Sequence, residues 1–181
     1  MSANYILSSN DSITLTSIDP FQEQDYANNG LENLKKNGFY KRHEHINELS
    51  ELALPELLRK EERFDFIFID GDHKFEGALI DFYYASKLIE KGGIIILDDL
   101  WMRGLRLVKS YIEANREDFE VVNLTSKNLF GFRKIGNDRR DGMHFKEFYS
   151  AKGFLKYHVN RLAWENNTPL GRVINKLKSL R

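Results

Sequence analysis

The chain has 181 residues, 41% hydrophobic and 30% charged, with 27 basic residues balancing 27 acidic ones. That fits one soluble globular domain long enough to bury a sizeable core. With no cysteine, disulfides, a thiolate metal site and a cysteine nucleophile are excluded. No apolar run approaches a membrane span and the start lacks a signal-peptide pattern, so the expected location is cytoplasmic. The even charge balance is unevenly spread: residues 137–181 hold ten Lys and Arg against four Asp and Glu. A basic tail of this kind is expected to be a solvated helix face, with nucleic acid and membrane the weaker readings.

Residues 12–19, SITLTSID, alternate and are rich in Ile and Thr, which predicts a strand ended by Asp19. An acidic residue ending such a strand can accept hydrogen bonds from ribose hydroxyls. A helix is predicted over 22–37, closed by Gly38. Residues 40–46 predict a polar edge strand on which His43 and His45 share a face. A short helix follows over 52–62, with Pro55 near its first turn, where proline is tolerated, and Ser50 in the loop before it.

The organising stretch is 64–101, FDFIFIDGDHKFEGALIDFYYASKLIEKGGIIILDDLW. Phe64–Ile69 reads as a strand buried on both faces. Residues 74–90 read as a helix with Phe75, Leu79, Phe82, Ser86 and Ile89 on one side, stopped by Gly92-Gly93. Residues 94–97 read as a second buried strand. This is a βαβ unit, whose right-handed crossover brings both strand ends to one edge of the sheet, where open α/β sheets bind ligands. Asp70, Asp72, His73, Asp98 and Asp99 are therefore expected to cluster. Carboxylates crowded together repel unless a cation or shared proton intervenes, and oxygen ligands of this kind suit Mg²⁺. For Asp72 a turn-forming or helix-capping role is an equal alternative.

The succession DGDH, helix, GG, strand, DD, W resembles the class I S-adenosylmethionine-dependent methyltransferases, in the branch of small-molecule O-methyltransferases acting on antibiotics and sugars. The resemblance runs from about residue 12 to residue 134. It implies a Rossmann-like, mostly parallel α/β sheet ending in an antiparallel hairpin, which suits the two strands predicted at 119–124 and 129–133 after a helix at 103–117. It implies Asp70, Asp98 and Asp99 as metal ligands, and Asp19, Ser50 and Asp70 as contacts to the cofactor. His73 or Lys74, beside the metal, would take the proton from a small-molecule hydroxyl acceptor. Trp101 and Phe75 near the strand ends would suit an acceptor ring, though core packing explains them equally well.

One part of that family's pattern is missing. The glycine-rich turn and first strand should precede residue 12, but MSANYILSSND contains no glycine. These residues read as the end of a helix and a loop. The family's strand order places the missing strand at the centre of the sheet, between the strands at 12–19 and 64–69. Residues 1–136 thus read as a partial methyltransferase domain, truncated or completed by another chain. Residues 137–181 read as a basic helical extension, with an amphipathic helix starting at Thr168-Pro169 that would pack on the body or in a homodimer. Phe145, Phe148, Tyr149, Phe154 and Tyr157 suit a lid or a dimer contact. Two other readings stand beside the enzyme: an inactive, partner-dependent binding module, and a nicotinamide-dependent oxidoreductase in which Asp19 serves the NAD ribose.

Overall fold

A computed structural model describes residues 2–22, 24–25, 27–149 and 155. The predicted helix at 168–180, with Phe154 and Tyr157, lies outside these residues. The elements run α1 (Ser2–Ser9), β1 (Leu15–Ile18), α2 (Asn29–Lys36), β2 (His43–Ile46), α3 (Ser50–Arg59), β3 (Phe64–Ile69), α4 (Phe75–Leu88), β4 (Ile89–Leu97), α5 (Arg103–Asn115), β5 (Phe119–Val122) and β6 (Phe130–Lys134). The alternation of strands and helices is that of a Rossmann-like α/β fold with a mixed sheet.

The strands form two sheets among the described residues. β1 and β2 pair in parallel, while the second sheet has the order β3-β4-β6-β5. β3 and β4 are parallel, and β6 runs antiparallel to both β4 and β5. The division between β1 and β3 falls where the resemblance leaves out a central strand. Both sheets nevertheless rest on the same helices. Ile18 and Ile46 from the small sheet pack with Phe64 and Ile67 of β3 against Leu54 and Leu57 of α3 and Leu88 of α4.

The main core lies on one face of the larger sheet. Phe82, Ala78 and Ala85 of α4 and Leu105, Val108 and Ile112 of α5 meet Ile95, Leu97, Phe119 and Phe132. Apolar residues at helical spacing on α4 and α5, facing an apolar sheet, bury because each removes its own surface and its neighbour's from water. The opposite face is less covered. The sequence predicts β3 buried on both faces, but on this face Phe66 is 42% exposed, and Asp65 is exposed on the other, near the strand's start.

Several expected boundaries are corrected. Gly92-Gly93 does not stop α4: the helix ends at Leu88, and the glycines lie within β4. Gly92 has φ of +91°, and a Cβ on Gly93 would meet the Asp65 carbonyl oxygen at 2.8 Å. The pairing register with β3 shifts at this point, from Phe64↔Ile89 to Phe66↔Ile94. The pair therefore makes a bulge where two backbones approach closely. The helix expected from residue 22 starts only at Asn29, after left-handed Ala27 and Asn28. The strand expected over 40–46 opens with a 3₁₀ turn, Tyr40–Arg42, and is extended only from His43. α3 begins at Ser50, two residues before the expected start, so Ser50 sits in a helix rather than a loop and Pro55 falls inside the helix.

Candidate active site

β3 and β4 end side by side, held by the Asp98 amide donating to the Ile69 carbonyl at 3.1 Å. The residues that follow therefore share one edge, as the crossover rule requires. Asp70, His73 and Asp99 each bring one candidate ligand atom to within 4.8 Å of the others. His73 Nε2 lies 2.8 Å from Asp99 Oδ2. Burial pushes the Asp70 carboxyl above its usual range, and the nearby charges of Asp98 and Asp99 push it further.

Asp99 is the most tightly oriented member. Its φ of +56° is left-handed, a conformation that Asp tolerates better than most residues. Asn128 Nδ2 donates to Asp99 Oδ1 at 3.2 Å, and the Trp101 indole N–H donates to the same oxygen at 2.8 Å. These bonds, Asn128 first, hold the Asp99 carboxyl below the usual carboxylate range, with His73 adding to the effect. Asp98 has a different role. Its Oδ1 accepts from the Asp99 amide at 2.6 Å and from Asn128 Nδ2 at 2.9 Å. It thus braces the turn, and it falls outside the group of three.

Asn128, between the strands predicted at 119–124 and 129–133, joins the site without a sequence signal that marks it. It sits in the β5–β6 connection and reaches the strand end only because β6 pairs with β4. Its carbonyl also accepts from the Leu100 amide at 3.1 Å. Nothing in its local sequence distinguishes it from an ordinary turn residue.

The other sequence candidates are placed as follows. Asp72 Oδ1 accepts from the Lys74 amide at 3.2 Å, and its Oδ2 pairs with Lys74 Nζ at 3.3 Å. The turn-forming alternative thus describes Asp72, and Lys74 points to it rather than to the cluster. Asp19 stands at the end of β1, its carboxylate accepting from the Phe21 amide at 2.8 Å and from Gln22 Nε2 at 2.5 Å. Each oxygen keeps further acceptor capacity. Ser50 opens α3, and its hydroxyl partly offsets the burial that raises the Asp81 carboxyl. His43 and His45 share a face as expected, but around Ser17: its Oγ lies 2.8 Å from His43 Nε2 and 3.3 Å from His45 Nδ1.

Residues 1–100 match the sequence profile of a methyltransferase domain family. The chain belongs to that family. A curated viral relative, the uncharacterized protein R132 of Acanthamoeba polyphaga mimivirus, is 39% identical over 75 residues, covering 38% of this chain and 34% of that protein. Two solved structures share the fold. The O-methyltransferase from Bacillus cereus in complex with SAH aligns with a TM-score of 0.55 at 21% identity, over 67% of this chain and 63% of that one. The MycE methyltransferase of the mycinamycin biosynthetic pathway, in complex with Mg, SAH and mycinamycin VI, aligns at 0.53 and 16%, over 87% and 45%. The methyltransferase-family chain described here therefore spans less than two thirds of each of these relatives. Among its described residues no helix is long and apolar enough to cross a membrane.

Proposed function

We propose that this chain moves the methyl group of S-adenosylmethionine to a hydroxyl oxygen of a small-molecule acceptor. The observation that carries the reading is the meeting of Asp70, His73 and Asp99 at adjacent strand ends in a methyltransferase-family fold. Asp19 would accept from the cofactor ribose and Ser50 would border the adenine, leaving the sulfonium to face the cluster.

The donor set fits a divalent cation. Asp70 and Asp99 offer oxygens that crowd one another, and a cation would relieve the repulsion that adds to the effect of burial on Asp70. Asp98 stands beside them as a brace or a further oxygen ligand. Bound there, a cation such as Mg²⁺ would polarise the acceptor hydroxyl. MycE, whose structure holds Mg and SAH, lends support by analogy of fold alone.

The chain's own residues supply the proton path. With its Nε2–H donating to Asp99 Oδ2, His73 keeps the lone pair on Nδ1 and takes the hydroxyl proton there as general base. Asp99 fixes that tautomer and stabilises the imidazolium. The oxygen–methyl bond forms as the sulfur–methyl bond breaks, the sulfonium losing its charge to become the neutral thioether. Lys74, occupied by Asp72, is the second choice as base.

The test is a calorimetric titration of the 181-residue chain with S-adenosylhomocysteine, with and without Mg²⁺. Micromolar binding that weakens about tenfold in Asp19→Ala is expected, the worth of one good hydrogen-bonding contact. A folded chain that gives no heat would overturn the reading. The divided sheet would then favour the second one, a binding module completed by a partner strand.

A further inference from the structure

We propose that the acceptor's ring seats in an apolar cavity between the first turns of α4 and α5, beneath a strap formed by Phe148 and Tyr149. The inference rests on the methyl-transfer reading for its chemistry and names the acceptor class: a flat, mostly apolar ring compound bearing the hydroxyl. The cavity has a volume of about 340 Å³ and is lined by Phe75, Arg103, Leu107, Phe148 and Tyr149. Small-molecule sites run from roughly 300 to 1,000 Å³, so one ring system fills it.

Its position ties it to the cluster. Phe75 opens α4 just after His73, and Arg103 opens α5 just after Trp101. The two helix starts are pressed together: a Cβ on Gly104 would lie 3.0 Å from the His73 carbonyl oxygen and 3.2 Å from the Phe75 nitrogen. A larger cavity of about 500 Å³ lies instead against Asn4, Tyr5, Asn33 and Phe39 of the N-terminal segment, and none of its lining residues belongs to the acidic edge.

The strap is built in steps along α5. Lys146 exchanges two hydrogen bonds with Asn115 at the end of the helix, at 2.7 and 2.9 Å. The Phe148 ring then meets Tyr111 edge-on at 5.6 Å. Phe148 and Tyr149 go on to Leu107 and Arg103, at the start of the helix. The segment thus runs from the last turn of α5 to its first and ends at the rim of the proposed active site. Aromatic faces and a leucine favour a ring that gives up water easily, whereas a bare sugar would leave its hydroxyls unpaired there.

The experiment titrates the full chain with 2,3-dihydroxynaphthalene and, separately, with S-adenosylhomocysteine. Leu107→Trp fills the cavity and is expected to weaken the naphthalenediol about tenfold, with S-adenosylhomocysteine affinity unchanged within about twofold. Tyr149→Ala, at an exposed position, removes one wall and is expected to weaken the diol without threatening the fold. Failure of the wild-type chain to bind the diol overturns the proposal, as does binding that neither variant changes. Diol binding that is lost in Leu107→Trp supports the ring site even where S-adenosylhomocysteine does not bind; that result sinks the methyl-transfer reading alone.

Discussion

At the end of β4, two consecutive aspartates do different work because one side chain, Asn128, touches both. It donates to Asp98 and to Asp99, while Trp101 completes the hold on Asp99. Residues that orient a ligand set are commonly worth about ten- to a hundredfold in affinity or rate. We expect Asn128→Ala to raise the Asp99 carboxyl toward its ordinary range and to slow methyl transfer at least about tenfold. Rates measured against S-adenosylmethionine and a catechol acceptor, beside a thermal melt of the variant, test this. An unchanged rate in a folded variant would remove Asn128 from the site. Asp70, His73 and Asp99 were legible in the sequence because strand periodicity and a right-handed crossover place them without further information. Asn128 was not, because its role depends on a pairing between β4 and β6 that no local pattern records.

Among the elements, the same contrast explains the misplaced boundaries. A glycine pair after an apolar helix reads as a stop signal, yet here the pair serves a close backbone approach within β4. The element following α5 has its own anchor. Arg116 donates to Asp118 through two nitrogens at 2.8 and 2.7 Å, and both side chains are almost wholly buried. The guanidinium also lies 5.1 Å from the ring centres of Phe82 and Phe119. Removing one partner of such a pair strands a buried charge, which costs about 3–5 kcal/mol. Asp138 Oδ2, 3.9 Å from Arg116 Nε, keeps part of the charge paired, so Asp118→Ala should lower the unfolding free energy measured in urea by up to that amount, while a change as small as that of a surface substitution would refute the anchor. Asp138 gives a pH dependence here. Hydrogen bonds from Arg140 hold its carboxyl well below the usual range. Its folded pKa being the lower one, its contribution is present above about pH 4 and fades as pH falls toward the folded value. The effect is small, because the side chain is 38% exposed. Urea midpoints at pH 5 and pH 3 should differ less in Asp138→Asn than in wild type, and equal differences would contradict this assignment.

Across the whole molecule, the two sheets share helices but no strand. β4 has strand partners on both sides, whereas β1 and β3 each have one among the described residues. An amide without a ladder partner exchanges with solvent through local openings. Amide exchange should therefore be slowest in β4 and β6, which both have partners on two sides, with the alternate amides of β1 and β3 that face away from β2 and β4 exchanging much faster. Equal protection in β3 and β4 would mean that the outer edge of β3 is already paired. The fold class was readable because β3 and β4 carry apolar runs joined by a helix-length segment. The openness of the Phe66 face was not, because an apolar strand reads the same whether or not anything covers its second side.

The family match ends at Leu100, but the aspartates that close β4 take their hydrogen bonds from residue 128. A recombinant piece cut at the edge of the recognised domain would keep every candidate acidic residue and discard the side chain that aims two of them. Shuffling or grafting this domain would have to carry the terminal hairpin along, since the unit that can be inherited as chemistry is longer than the unit that can be detected as kinship.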